Sequence, residues 1–192
     1  GSSVMMSLVL RPEFAPAYAS MLTLVMGLSV AQAVCDLGFS PQIKWPNDVV
    51  VSRKKICGIL TEMSVGEKGI RHVVIGVGIN VNLKNLPPEL ADKATSLYLE
   101  SGEELDRSLI PGAVMKCFEA NYEKFVQTLD LSLLRPAYEG FLANKGNAVR
   151  VLEKEDSYEG IALGINERGE LLVERDSGRV VCVGSGEVSV RG

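Results

Sequence analysis

The stretch PQIKWPNDVVVSRKKICGILTEMSVGEKGIRHVVIGVGINV, residues 41–81, decides the fold. Short apolar runs alternate in it with turn chemistry. Ile43–Trp45 and Val49–Ser52 read as extended pieces on either side of Pro46-Asn47-Asp48. That tripeptide favours a turn, because proline presets one backbone angle while Asn and Asp bond their own backbone. Arg53-Lys54-Lys55 forms an exposed basic turn that leads into an apolar strand, Ile56–Met63. Glu67-Lys68-Gly69 makes the next turn, and Val73–Val81 a further strand. Strand, turn, strand in immediate succession predicts consecutive antiparallel hairpins.

Upstream, VMMSLVL at Val4–Leu10 reads as another strand, and Pro12 and Pro16 precede a helix that runs to about Leu37, where Gly38 stops it. No charge occurs between Glu13 and Asp36, which is the length of a membrane span. Pro16, Ser20, Thr23, Gly27, Ser29 and Gln32 dilute it, however, and no Lys/Arg cluster flanks it. A helix apolar nearly all round belongs in a core. Downstream, Asn82–Gly102 looks irregular, with Pro87-Pro88 near its start. Leu105–Leu129 and Leu131–Asn144 space their apolar residues helically, for example Met115, Phe118, Tyr122 and Phe125.

From Ala148 the pattern changes to AVRVL, SYEGIALGI, GELLVER, RVVCVG and EVSVR, alternating strands with glycine turns. These predict a small separate barrel. The expected fold class is α+β: a mixed, largely antiparallel sheet packed with helices over residues 1–146, then a small β-barrel over 147–192.

Composition narrows the function. A net charge of −4 and a pI near 5.2 argue against a nucleic-acid module, which would show a basic face. Cys35, Cys57, Cys117 and Cys182 are scattered without a CxxC pair, and His72 is the only histidine. Zinc or a disulfide framework therefore has little support, and reduced thiols in a cytoplasmic protein are expected.

Two clusters carry the chemistry. In Lys44-Trp45-Pro46-Asn47-Asp48, followed by Lys55-Ile56-Cys57-Gly58, one carboxylate and two cations sit near tight turns. Asp suits Mg²⁺ and Lys suits phosphate, so the set can hold a metal-bound anionic substrate. The plain alternative is a hairpin with a solvated basic tip, its Asp bonding its own backbone. Gly76-Val77-Gly78-Ile79-Asn80 lets backbone approach a ligand, and an Asn amide can read an adenine edge. Alternatively, glycines in a strand mark a bulge or close packing. The stretch lacks the third glycine of a dinucleotide fingerprint and the GK[ST] of a P-loop. Trp45 reads as core, and Cys57 has no histidine motif beside it to make a nucleophile.

Together these pieces resemble the catalytic domain of biotin–protein ligases. That family shows KWPND, a lysine seven residues after its aspartate in K-x-x-GIL, and GxGIN on a later strand; here they stand at 44–48, at Lys55 in KKICGIL, and at 76–80. MSLVLRP at 6–12 and GEVSVR at 186–191 extend the match over the whole chain. The resemblance implies a class II synthetase-like catalytic unit and a Src-homology-like barrel. It also implies the activity: biotin is activated by ATP as biotinyl-AMP and passed to a lysine of a biotin carboxyl carrier protein. By resemblance, Lys55 contacts the biotin carboxyl and the adenylate phosphate, and Lys44 supports the nucleotide. Asp48 holds Mg²⁺ or orients the adenylate, and Asn80 reads adenine or assists the metal. Asn47, Gly58, Gly76, Gly78 and Arg191 complete the binding site.

A lipoate or octanoate ligase of the same fold, and a non-catalytic module, stand as alternatives. The family's arginine-rich biotin loop and its DNA-binding domain lie outside these residues, so a piece of a longer protein is expected, inactive alone and without nucleic-acid contacts of its own. Homodimerisation through a free strand edge and the absence of a membrane anchor are expected too.

Overall fold

A computed structural model describes residues 1–152, 157–184 and 187–190. The hairpins of the central stretch form as their turn residues dictate. β2 (Pro41–Lys44) and β3 (Asp48–Val51) flank the 45–47 turn, in which the Trp45–Pro46 peptide is cis. Ser52 and Arg53 both adopt positive φ, 50° and 66°, the geometry of a two-residue hairpin whose twist matches its strands. They lead into β4 (Lys54–Gly66), and a second turn leads to β5 (Gly69–Asn80).

β1 (Ser3–Leu10) does not join the strand that follows it. Its chain crosses the sheet through a 3-10 turn (Pro16–Met21) and α1 (Leu22–Asp36), giving the order β1-β5-β4-β3-β2. The ladders are antiparallel throughout. Among the described residues, parallel pairing is confined to two isolated bridges, Ile43 with Leu142 and Lys55 with Ala94.

Alternation along β5 splits the sheet into two faces. Val73, Ile75, Val77 and Ile79 are buried, while His72, Val74, Gly76, Gly78 and Asn80 point the other way. The buried face meets α1. Pro16–Asp36 is long and apolar enough to cross a membrane, yet Leu22, Val25, Met26, Leu28 and Val34 are wholly enclosed between the sheet and α3 (Leu109–Thr128). Each such side chain contributes about 1.5–3 kcal/mol of apolar burial. The polar groups at this interface are satisfied: Asn121 Nδ2 donates to Ser29 Oγ at 2.9 Å and to Gln32 Oε1 at 2.8 Å.

The later helices are shorter than their apolar spacing suggests. α3 begins only after Asp106, whose carboxylate accepts from the Ser108 amide and hydroxyl and fixes a turn. Of Leu131–Asn144, only α4 (Arg135–Phe141) is helical, with a proline in its first turn. The stretch Asn82–Gly102 is less irregular than expected. It holds a 3-10 turn at Pro88–Leu90 and α2 (Leu97–Ser101), capped by the Ser96 hydroxyl accepting from the Leu99 amide.

The C-terminal residues form a second antiparallel sheet. Its strands are β6 (Ala148–Leu152), β7 (Ser157–Ile165), β8 (Leu171–Glu174), β9 (Val180–Val183) and β10 (Glu187–Val190), in the order β10-β6-β7-β8-β9. Glu139 on α4 binds the two parts. It accepts from Arg135 Nε at 3.0 Å, Lys145 Nζ at 2.6 Å and the Ile165 amide at 3.2 Å. Burial alone would raise its pKa, but these donors outweigh burial and hold the carboxyl below its usual range.

Candidate active site

The outward sheet face carries three rows set by strand register. Met5, Gly78 and Gly58 stand in line across β1, β5 and β4, followed by Ser7, Gly76 and Leu60, then Val9, Val74 and Glu62. Two glycines on the middle strand leave a trough of about 620 Å³ between Met5, 81% exposed, and Leu60, 64% exposed. Exposed apolar side chains of this size beside a glycine floor suit a ligand with an apolar body. Lys55, Asn47, Asn80 and Ala94 also line the trough.

Lys55 reaches this face because β4 is irregular. Val49 pairs with Cys57 but Val50 pairs with Lys55, so Ile56 is an extra residue. Period-two alternation would put Lys55 and Gly58 on opposite faces; the bulge brings them to one. Gly58 then supplies the space in which Lys55 lies, since a Cβ there would come within 3.1 Å of the lysine Cε and Nζ. From that position Lys55 Nζ stands 2.6 Å from Asp48 Oδ1. Beyond the ammonium this buried oxygen accepts no hydrogen bond from the described residues. An ion pair open to water on the lysine side is worth about 0–1 kcal/mol, so Lys55 can be transferred to another anion at little cost.

The two asparagines are partly committed to the scaffold. Asn47 Nδ2 donates to Ile59 O at 3.0 Å, and the Ile59 amide donates to Asn47 O at 2.9 Å, pinning the turn to β4. Asn80 Nδ2 donates to Thr95 O at 3.1 Å. Its Oδ1 accepts from no described residue and remains available to a donor such as an adenine amino group. Lys44 lies opposite Asp48 in the β2–β3 ladder but does not line the trough. Arg191 lies outside the described residues.

Sequence reasoning missed three contributors. Met5 and Leu60 form the walls, and Lys93–Thr95 closes one end by running along Lys55: the Lys55 amide donates to Lys93 O, and the Thr95 amide to Lys55 O. The available signal was Thr95-Ser96 before an apolar run, a helix-start pattern whose cap holds the segment in place.

Cys57 sits beside the ion pair but points into the core. Burial, together with the Asp48 charge and partly offset by Lys55, pushes its thiol up to about 12. A raised value keeps the thiol protonated: about 10⁻⁴ is thiolate at pH 8, so Cys57 is no nucleophile. Iodoacetamide at that pH is expected to label the exposed Cys35 and Cys182 and to spare Cys57 until the chain is unfolded. Peptide mass spectrometry showing Cys57 labelled as fast as Cys35 would mean that β4 opens readily.

Comparison with known proteins turns this geometry into kinship. The model of the biotin/lipoate A/B protein ligase family matches residues 1–80, and that of the biotin protein ligase C terminal domain matches residues 146–191. The crystal structure of biotin protein ligase from Aquifex aeolicus superposes with a TM-score of 0.85 at 32% identity, over 99% of this chain and 82% of that one. The chain belongs to the biotin protein ligase family. The Aquifex ligase has also been solved in complex with biotin and ATP, and that structure matches with a TM-score of 0.84. The bifunctional ligase/repressor BirA of Bacillus spizizenii is 38% identical over 93% of this chain, which spans 55% of BirA's length. The family membership read from KWPND, Lys55 and GVGIN is thus borne out, as is the α+β fold class with its second β unit.

Proposed function

We propose that this chain carries the adenylating centre of a biotin–protein ligase, using ATP to activate biotin and passing it to a lysine of a biotin carboxyl carrier protein. The observation that carries this reading is the bulge that sets Lys55 at the end of a glycine-floored, apolar-walled trough. An apolar acid fits such a trough with its carboxylate toward the ammonium. A carboxylate oxygen attacks the α-phosphorus of ATP, the bond to the β-phosphate oxygen breaks, and pyrophosphate leaves. The carrier's lysine amine then attacks the acyl carbon, AMP departs with the bridging oxygen, and the amine loses a proton. Negative charge builds on non-bridging oxygens in both steps, so a fixed cation lowers both barriers. Lys55 supplies it, while Asn80 Oδ1 accepts from adenine and Gly76 and Gly78 let the ligand approach the backbone. Lys44 and Arg191 stand as supporting cations for the nucleotide. Residues 147–192 form a separate C-terminal unit.

No group of three or more metal-ligating side chains occurs among the described residues. Mg²⁺ often takes only one or two protein carboxylates and completes its shell with phosphate oxygens and water. Asp48, whose Oδ1 is held among the described residues by the Lys55 ammonium alone, would meet that need for a cation arriving with ATP once Lys55 turns to the ligand's anion. When bound, the ion neutralises phosphate charge. Asp48→Asn is accordingly expected to fold normally and to raise the Mg²⁺ concentration for half-maximal exchange about 3–10-fold, the loss of one charge-assisted contact. An unchanged Mg²⁺ titration would leave Asp48 as a partner of Lys55 alone.

The deciding experiment for the function is ATP–pyrophosphate exchange with biotin, lipoate or octanoate as the acid. Exchange that depends on biotin alone supports the reading, whereas preference for lipoate or octanoate transfers the chain to the neighbouring chemistry. A cytoplasmic location and a homodimer paired through an exposed strand edge belong to the same proposal.

A further inference from the structure

The turn bearing Asn47 and Asp48 is held from outside the sheet that contains it. Trp45 is 2% exposed, and both of its N–H donors leave the hairpin. Its indole Nε1 donates to Gly169 O at 2.9 Å, in the β7–β8 connection of the C-terminal sheet. Its backbone amide donates to Asn144 Oδ1 at 2.9 Å, in the segment joining α4 to β6. Next to it, the Ala143 amide donates to Ile43 O at 2.9 Å, so the strand entering the turn is bound by the same segment.

Neither acceptor is a passive neighbour. Asn144 is 0% exposed and its Nδ2 has no partner among the described residues. A buried amide left half satisfied is unfavourable as packing material, and an apolar residue would fill the space without that penalty. Its Oδ1 is therefore the useful half. Gly169 presents its carbonyl from φ +78°, and a Cβ there would fall 2.8 Å from Leu24 Cδ2 and 3.0 Å from Leu131 Cδ1. At that φ a side chain is strained, so glycine suits the carbonyl's place under the indole. A cleft of about 290 Å³ lined by Trp45, Asn47, Leu60, Arg168 and Gly169 shows that the junction borders the site.

We propose that Trp45 is a positioning residue for Lys55, and that the C-terminal unit thereby sets the adenylating end of the trough. The path is short. Trp45 fixes the turn, Asn47 locks it to Ile59 by two hydrogen bonds, and Asp48 in the next position pairs with Lys55. Loss of the indole donor frees the turn and lets the ion pair drift, which affects a transition-state contact more than ground-state binding. The proposal rests on reading the trough as the biotin-activating site.

The test uses Trp45→Phe, which keeps the ring and removes the donor, Gly169→Ala on the other side of the bond, and the double variant. If Gly169→Ala does not fold, Trp45→Phe alone decides, through both readouts. The first readout is ligand-free hydrogen exchange at the Ile59 amide, which donates to Asn47 O. Protection there is expected to fall at least ~10-fold in Trp45→Phe while the Ile75 amide keeps its protection, the pattern of local rather than global opening. The second is biotin-dependent pyrophosphate exchange. kcat is expected to fall at least ~10-fold with KM for biotin within about 2-fold, and the double variant to be no slower than the slower single. Unchanged Ile59 protection with unchanged kcat, or losses that multiply in the double variant, would overturn the proposal. Wild-type chain without biotin-dependent exchange would refute the assigned function instead, and Ile59 protection alone would then decide whether Trp45 holds the turn.

Discussion

Lys55→Ala is expected to lower biotin-dependent ATP–pyrophosphate exchange by at least ~10²-fold, the scale of losing one preorganised charge stabiliser. Nothing in the fold should change with it. The lysine side chain is partly open to solvent, and its ion pair to Asp48 is of the kind worth less than about 1 kcal/mol. Urea unfolding of the variant should therefore superimpose on wild type within that margin. Lys55→Arg should not restore the rate. The ammonium is a compact point charge lying in the space left by Gly58, and a planar guanidinium spreads its charge over a fork that does not place a cation at the same point. Near-normal exchange in Lys55→Ala would remove this residue from the chemistry and leave the trough without its cation.

The hairpins that carry the site were legible because their turn residues announce themselves: Pro46-Asn47 and Gly69 stand at the turns found there, whereas the basic turn read at Arg53-Lys54-Lys55 falls at Ser52-Arg53, with Lys54 and Lys55 already in β4. The position of β1 was not. Its pairing with β5 joins residues about seventy positions apart in sequence, from Ser3–Asn80 to Leu10–Val73, and local patterning carries no information about a partner that distant. The bulge at Ile56 was equally hidden, since Lys55-Ile56-Cys57 reads as plain alternation until the β3 register is known. The chemistry was recognisable as Lys55 near Asp48, but the reason they meet is that extra residue together with an absent side chain at Gly58. Asn47 shows the limit from the other side. Its place beside the trough agrees with the reading, while its amide turns out to serve β4.

Gly76→Val separates the two readings of the glycine floor with the largest contrast. A Cβ at Gly76 would meet only Leu60 O, at 3.7 Å, an ordinary van der Waals distance. The residue lies mid-strand on β5 with its missing side chain on the outward face, where β-branched residues are favoured. As a matter of folding, valine should be neutral or slightly stabilising, and the thermal midpoint should hold or rise. As a matter of binding, an isopropyl group would stand between Ser7 and Leu60, where the apolar body of the acid must lie. Affinity for biotin by isothermal titration is expected to fall at least ~10²-fold, about 2.7 kcal/mol. If glycine stood there only for packing, the order of effects would be reversed, with stability falling and binding following it. A stable Gly76→Val variant that binds biotin as wild type does would place the ligand elsewhere, because no acid could then occupy the trough floor beside Leu60.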